Sequence, residues 1–232
     1  MEGATVNGPE GPDCKEREKR LIYHSLYNDP LADVVLMSTD GIGFRIHDYY
    51  LKAASPVFRD MLSLPTRVGP IQLPETSEAI RVVLDETTNI ITTGTRPSFH
   101  VMTEALQLAK RLDMKGPTVQ IQERFRHYQN DVMRLFAWAC QQDPVDRFLA
   151  RTALSAFSNP YMKPDPEVFR PEVRSTTPFP KNLTPMYIES LTTVGYAAYS
   201  RAIDDCQEEF DGSLKWQKVP NAFIRHLDRL ER

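Results

Sequence analysis

The spacing of apolar residues changes character along the chain, and the changes mark out its elements. Alternating charges lead into Leu21, Ile22 and Leu26, which predicts a short amphipathic helix from Lys15 to Tyr27. Leu31-Ala32-Asp33-Val34-Val35-Leu36-Met37 is a β-rich apolar run, and Phe44-Arg45-Ile46-His47 alternates apolar with polar. With Asp40-Gly41 between them as a turn, the two runs predict a β-hairpin. After the hairpin the period moves from two to about 3.6. Tyr50, Leu51 and Ala54 suit one short helix. Val57, Phe58, Met61 and Leu62 suit a second, capped by Ser55, led by Pro56 and stopped by Pro65. Ile71-Gln72-Leu73, between Pro70 and Pro74, reads as a third short strand. Ala79, Ile80, Val83 and Leu84 mark another helix, and the Thr-rich stretch from Thr87 to Thr95 leaves room for a strand around Ile90 and Ile91.

The second half of the chain reads as helical. Val101, Ala105, Leu108 and Leu112 predict a helix from Phe99 to Met114, ended by Gly116-Pro117, and a further helix follows from Thr118 to Gln129. Val132, Leu135, Phe136, Ala139 and Cys140 form one apolar stripe. Phe148, Leu149, Thr152, Ala153, Ala156 and Phe157 form another after Asp143-Pro144, so an antiparallel helix pair is expected. Seven prolines between Pro160 and Pro185 exclude a regular helix or a central strand there. Thr184-Pro185 opens a predicted long helix to Phe210, and a short one is expected from Pro220 to Arg232.

Composition narrows the function classes. A 232-residue chain with 41% apolar residues can fill an ordinary core, and its net charge of −3 favours neither nucleic acid nor an anionic membrane as main partner. No apolar stretch approaches the ~20 residues that span a bilayer. The Gly- and Pro-rich N-terminus lacks a signal peptide's apolar core. Cys14, Cys140 and Cys206 lie far apart and cannot all pair, the usage of a reducing compartment, so cytosol or nucleus is expected. The chain carries no Gly-x-Ser-x-Gly, phosphate-cradling glycine loop or zinc spacing. Neither an enzyme, a metal, a cofactor nor a small-molecule substrate is expected.

The order of hairpin, two helices, short strand and helices resembles the BTB (POZ) fold. Ala32-Asp33-Val34-Val35-Leu36 with Phe44-Arg45-Ile46-His47 looks like the family's opening hairpin, and the run from Leu51 to Met61, with Ser55-Pro56-Val57-Phe58, looks like its next two helices. Ile71-Gln72-Leu73-Pro74-Glu75 resembles its third strand and acidic turn. The run Ser55 to Pro65 is most similar to fungal BTB proteins. The resemblance is specific over about residues 30 to 85 and looser to about 130, and the helix pair to Ser158 is similar to the helical extension of many relatives. It implies an α+β fold and a non-enzymatic interaction or oligomerisation module, acting through a homodimer, a second BTB protein or a scaffold role. The implied organisation is an N-terminal tail over 1–19, a BTB domain over 20–130, a helical extension over 131–158, a proline-rich arm over 159–185 and a helical segment over 186–232.

The candidate interface residues are Leu21, Ile22, Leu26, Asp33, His47 and Asp48. The first three suit either a helix crossing a dimer seam or one folded onto its own domain. In dimeric relatives the residue matching Asp33 lies near the interface and faces a base just after the match of His47. Here that position is Asp48, and two acids cannot form that pair, so Asp33 is expected to cap local backbone. His47 has no second ligand at metal spacing and is expected to be a hydrogen-bonded structural residue. Recruitment of a cullin scaffold in the family uses a hydrophobic-x-Glu element before the third strand. The loop Leu64-Pro65-Thr66-Arg67-Val68-Gly69 has no glutamate, which leaves a ubiquitin-ligase adaptor as the alternative reading. Cys140 is expected in the core. Trp138 is expected on a partner-facing surface or under the proline-rich arm. Asp204-Asp205 and Glu208-Glu209 read as solvated surface.

Overall fold

The computed structural model describes residues 21–64, 69–90, 96–128, 131–156, 183–206 and 217–231. The predicted hairpin forms from β2 (Val34–Met37) and β3 (Ile42–Ile46), which pair antiparallel with Val34 opposite Ile46 and Leu36 opposite Phe44. Its turn needs Gly41, whose φ of +80° lies in the left-handed region. The sheet is mixed. β4 (Ile71–Gln72) lies parallel to β2, and β1 (Ile22–Asn28) lies parallel to β3, giving the order β1-β3-β2-β4.

Residues 22–28 are therefore a strand and not the expected helix, and the part of that prediction from Lys15 to Arg20 lies outside the described residues. The strand wins because its aromatic side chains have places on the sheet. Tyr23 lies over Gly43, where a Cβ would stand 2.8 Å from the Tyr23 ring, and Arg45 stacks 4.0 Å from that ring's centre. On the other side of a bulge in the pairing, Tyr27 is buried beside Phe44, and His24 stacks on the same Phe44 ring at 5.1 Å.

α1 (Asp48–Ala54) and α2 (Pro56–Leu62) meet at Ser55, whose hydroxyl accepts from Phe58 N–H at 3.0 Å and donates to the Leu112 carbonyl at 2.5 Å. One buried serine thus caps α2 and ties it to the end of α4 (Phe99–Arg111). α3 (Ser77–Thr88) is capped by Thr76, itself held by Glu104 at 2.7 Å, and ends at Asn89 in the left-handed conformation. Ile90 follows outside any strand, and Ile91 lies outside the described residues. Gly116-Pro117 does not end α4. The break comes at residues 112–114, with Asp113 at φ +49°, and Gly116-Pro117 sits in the first turn of α5 (Lys115–Arg124), where proline's missing N–H has no helical partner to lose. A 3-10 turn, Phe125–His127, completes that helix short of Gln129.

The expected helix pair forms as α6 (Val132–Cys140) and α7 (Arg147–Ala156), packed on each other. Its second stripe is rotated from the expected one: Leu149, Ala150, Ala153 and Leu154 are buried, Phe148 is about one-third exposed, and Phe157 lies outside the described residues. Over its described part the predicted long helix is two helices, α8 (Pro185–Ser190) and α9 (Thr193–Cys206), and its last stretch to Phe210 lies outside the described residues. Thr192 separates them because its hydroxyl takes the Gly195 N–H at 3.1 Å and donates to the Cys140 carbonyl at 3.1 Å. Thr184 caps α8, as its Thr-Pro sequence predicts. α10 (Val219–Leu230) packs on both α9 and α7, so the C-terminal helices close over the helix pair. The proline-rich arm lies outside the described residues, apart from its last three positions, Leu183, Thr184 and Pro185.

Three polar links join these parts. The buried Asp146 carboxylate takes Lys110 Nζ of α4 at 2.5 Å, Gln122 Nε2 of α5 at 3.2 Å and the Leu149 N–H of its own helix at 3.0 Å. Arg147 bridges from α7 to Asp228 at 3.1 Å, and to Glu231. Asp205 joins α9 to α10 through His226 at 2.7 Å and Arg225 at 3.1 Å. Asp205 is therefore an interhelical anchor and not merely solvated surface. The His226 hydrogen bond holds its carboxyl below the usual range. Glu208-Glu209 lies outside the described residues.

Candidate interaction surface

β1 is an edge strand, paired with β3 alone among the described residues. An edge strand presents unpaired backbone donors and acceptors, a template for pairing with another chain unless it is blunted. Here Ile22 on the strand is 65% exposed, and Leu21 and Leu26 are about half exposed, so apolar side chains accompany the open edge. The strand is fixed from behind by Tyr27, which donates to the buried Asp85 carboxylate of α3 at 2.7 Å. Arg81 pairs with the same carboxylate at 2.7 Å. Burial raises the Tyr27 hydroxyl well above its ordinary pKa and keeps it a donor.

Where β1 ends, the chain enters a charged cluster. His47 Nε2 lies 3.0 Å from Asp29 Oδ2, and His47 Nδ1 lies 3.4 Å from Asp33 Oδ2. Both ring nitrogens thus face carboxylates, an arrangement that favours the doubly protonated imidazolium. The Asp29 hydrogen bond, aided by Asp33, raises the His47 pKa above its ordinary value, opposed by some desolvation. Asp29 is held in place by the Leu31 N–H at 2.9 Å, and its carboxyl lies below the usual range for that reason and because of His47. Around the cluster stand Leu31, 81% exposed, and Tyr49, 55% exposed, whose ring stacks on His47 at 5.8 Å.

The structure thus brings Asp33 and His47 together and directs the Asp48 carboxylate away from both. Asp33 accepts the Asp48 backbone N–H at 3.4 Å, close to the expected capping role. The Asp48 carboxylate turns away to Lys52 at 2.5 Å, so the two acids are not opposed. His47 is hydrogen-bonded as expected, but on a partly exposed surface. Sequence reading missed Asp29, Leu31 and Tyr49. Asp29 and His47 are far apart in sequence, and only the pairing of β1 with β3 brings them together.

Trp138 is partly buried between α6 and α8. It lines a groove of about 310 Å³ with Phe99, Arg134, Gln141, Met186 and Tyr187, just beyond the end of the proline-rich arm. Cys140 lies in the core as expected, and burial pushes its thiol up to about 12. No group of three or more His, Cys, Asp or Glu side chains placed to hold a metal occurs among the described residues. None of the described helices is long and apolar enough to cross a membrane.

A mixed four-stranded sheet flanked by helices, with β1 at its edge among the described residues and a helical region behind it, makes up an α+β domain. The sequence model of the BTB/POZ domain matches residues 23–129, and that part of the chain is a BTB/POZ domain. BTB/POZ domains are typically non-enzymatic modules that self-associate and bind other proteins. No curated protein matches the chain.

Proposed function

We propose that the chain is an oligomerisation module that self-associates, or pairs with a second BTB protein, through the N-terminal edge of its sheet. The observation that carries this reading is the edge of β1, unpaired on its outer side among the described residues, together with exposed Ile22 and Leu26 on the strand and Leu21 just before it. A soluble monomer ordinarily protects such an edge with charge, proline or a bulge. β1 has a bulge, but it presents leucine and isoleucine outward. Asp33, His47 and Asp48 belong to the same surface, at the end where β1 leaves the sheet. The wording of residues 55–65 supports a place among fungal-type BTB proteins, and the lone cysteines support an intracellular compartment. The BTB unit is read as residues 20–130, with the helices that follow as its extension. The cullin-adaptor reading has weaker support, because the 64–69 loop lacks the glutamate that it requires.

The test is the solution mass of the whole chain by light scattering behind size exclusion. A mass near twice 26.6 kDa is expected, falling to one chain in Ile22→Asp/Leu26→Asp with the circular dichroism spectrum kept. A wild-type monomer across a broad concentration range overturns the self-association reading. A complex with a cullin N-terminal domain at tens of micromolar would replace it with the adaptor reading.

A further inference from the structure

We infer that the pocket between the 3-10 turn Phe125–His127 and α7 is a docking site for a short acidic segment of a partner protein. It is a second surface, separate from the β1 edge, and does not depend on self-association.

The pocket has a volume of about 530 Å³, and Arg126 of that turn lines it together with Phe148, Arg151 and Thr152 of α7. The turn falls within the matched BTB/POZ residues and α7 belongs to the helices that follow, so the pocket forms where the two parts pack on each other. Two guanidiniums line it and, among the described residues, no carboxylate does. Arg126 pairs at 2.8 Å with Glu123, three residues before it, and both side chains are exposed. An exposed pair of that kind contributes little, so Arg126 can exchange it for another acid. Arg151 is exposed and takes no carboxylate among the described residues. Phe148, about one-third exposed, adds an apolar wall, and Thr152 adds a hydroxyl.

The neighbouring turn of α7 shows what such an arginine takes. Arg147 lies one turn before Arg151 on the same face of the helix. It holds Asp228 of α10 at 3.1 Å, and Glu231 just after that helix. The acids of α10 thus satisfy Arg147 and leave Arg151 open, so the same chemistry one turn further on needs carboxylates from another chain. A guanidinium fork receives a carboxylate through two parallel hydrogen bonds, which an ammonium cannot match. The Phe148 ring gives an apolar side chain next to that carboxylate a place to pack. A long polyanion fits less well. Arg147, Asp228 and Glu231 are one cation and two acids, a sum of −1 beside the pocket, and the whole chain carries −3. A nucleic-acid backbone running out of the pocket would meet like charge, whereas a short acidic segment ends before it.

The experiment is fluorescence anisotropy of the full chain with a labelled peptide of alternating glutamate and leucine, and with the same peptide carrying glutamine for glutamate. Wild type should bind the first peptide and not the second, and more weakly as salt rises. Arg151→Gln should weaken binding about fivefold, the loss of one charge-assisted contact. Arg126→Glu/Arg151→Glu should abolish it, with the circular dichroism spectrum and light-scattering mass of wild type. Ile22→Asp/Leu26→Asp should bind the peptide as wild type does, which separates this surface from the β1 edge. No binding of the acidic peptide at millimolar concentration overturns the inference, as does binding that survives the double reversal or equal binding of the glutamine peptide. An oligonucleotide that displaces the peptide at lower concentration overturns it in favour of a polyanion site. A mass that falls in the folded double variant overturns it in favour of a contact between copies.

Discussion

Replacing Asp146 removes the most connected polar group between the BTB/POZ domain and the helices behind it. Its side chain is 4% exposed and ends three interactions at once, with Lys110, Gln122 and the Leu149 N–H. The last is a helix N-cap, worth about 1 kcal/mol when the cap becomes alanine. The charge-assisted bond to Lys110 adds about 1.5–3 kcal/mol. Lys110 is about one-third exposed, so after the substitution its ammonium rehydrates and the full cost of a stranded buried charge does not apply. Asp146→Ala is therefore expected to lose about 3 kcal/mol. Asp146→Asn keeps a good cap and the side chain's shape but loses the charge, and should lose about half as much. Urea denaturation followed by circular dichroism and by tryptophan fluorescence measures both values. An alanine variant within about 0.5 kcal/mol of wild type would refute the ledger. So would an asparagine variant as unstable as alanine, because the cap and the charge could not then be separate contributions.

Two further substitutions test the packing of the N-terminal strand and the C-terminal helices. Gly195→Ala should destabilise the chain by about 1–3 kcal/mol, although alanine is the better helix former, because its Cβ would stand 2.9 Å from both Cys140 Cβ and Sγ. A raised melting temperature would contradict that contact. Tyr27→Phe should cost about 1–2 kcal/mol, since Asp85 loses one donor and keeps Arg81. Burial raises the Tyr27 pKa above its ordinary 10.0, so wild-type stability should be full below pH 10 and decline above it. The phenylalanine variant should show a shallower alkaline decline in denaturation midpoint.

Where local signals sufficed, the fold could be read from the chain. The hairpin needed only alternation and Asp40-Gly41, and Ser55-Pro56 and Thr184-Pro185 begin α2 and α8 as a capping residue before proline should. The failures share a cause. Leu21, Ile22 and Leu26 have a spacing that suits a helix, and the strand they join is decided by β3, some twenty residues further on. Gly43 was the available clue, since a glycine inside a strand often marks a close approach by another chain segment, here Tyr23. Gly116-Pro117 misled because the same pair can follow one helix or open the next, and only Asp113 in the left-handed region decides between them. Asp146 carried a readable signal, an acid directly before an apolar helical stripe, but its contacts with Lys110 and Gln122 are long-range.

The candidate surface shows the same division. Exposure of Ile22 and Leu26 follows from β1 being an edge strand, and that depends on sheet order, which no local pattern encodes. The charge logic at Asp33 was partly legible. An acid at position 48 cannot balance Asp33. The structure meets the need one residue earlier, with His47, and turns Asp48 towards Lys52.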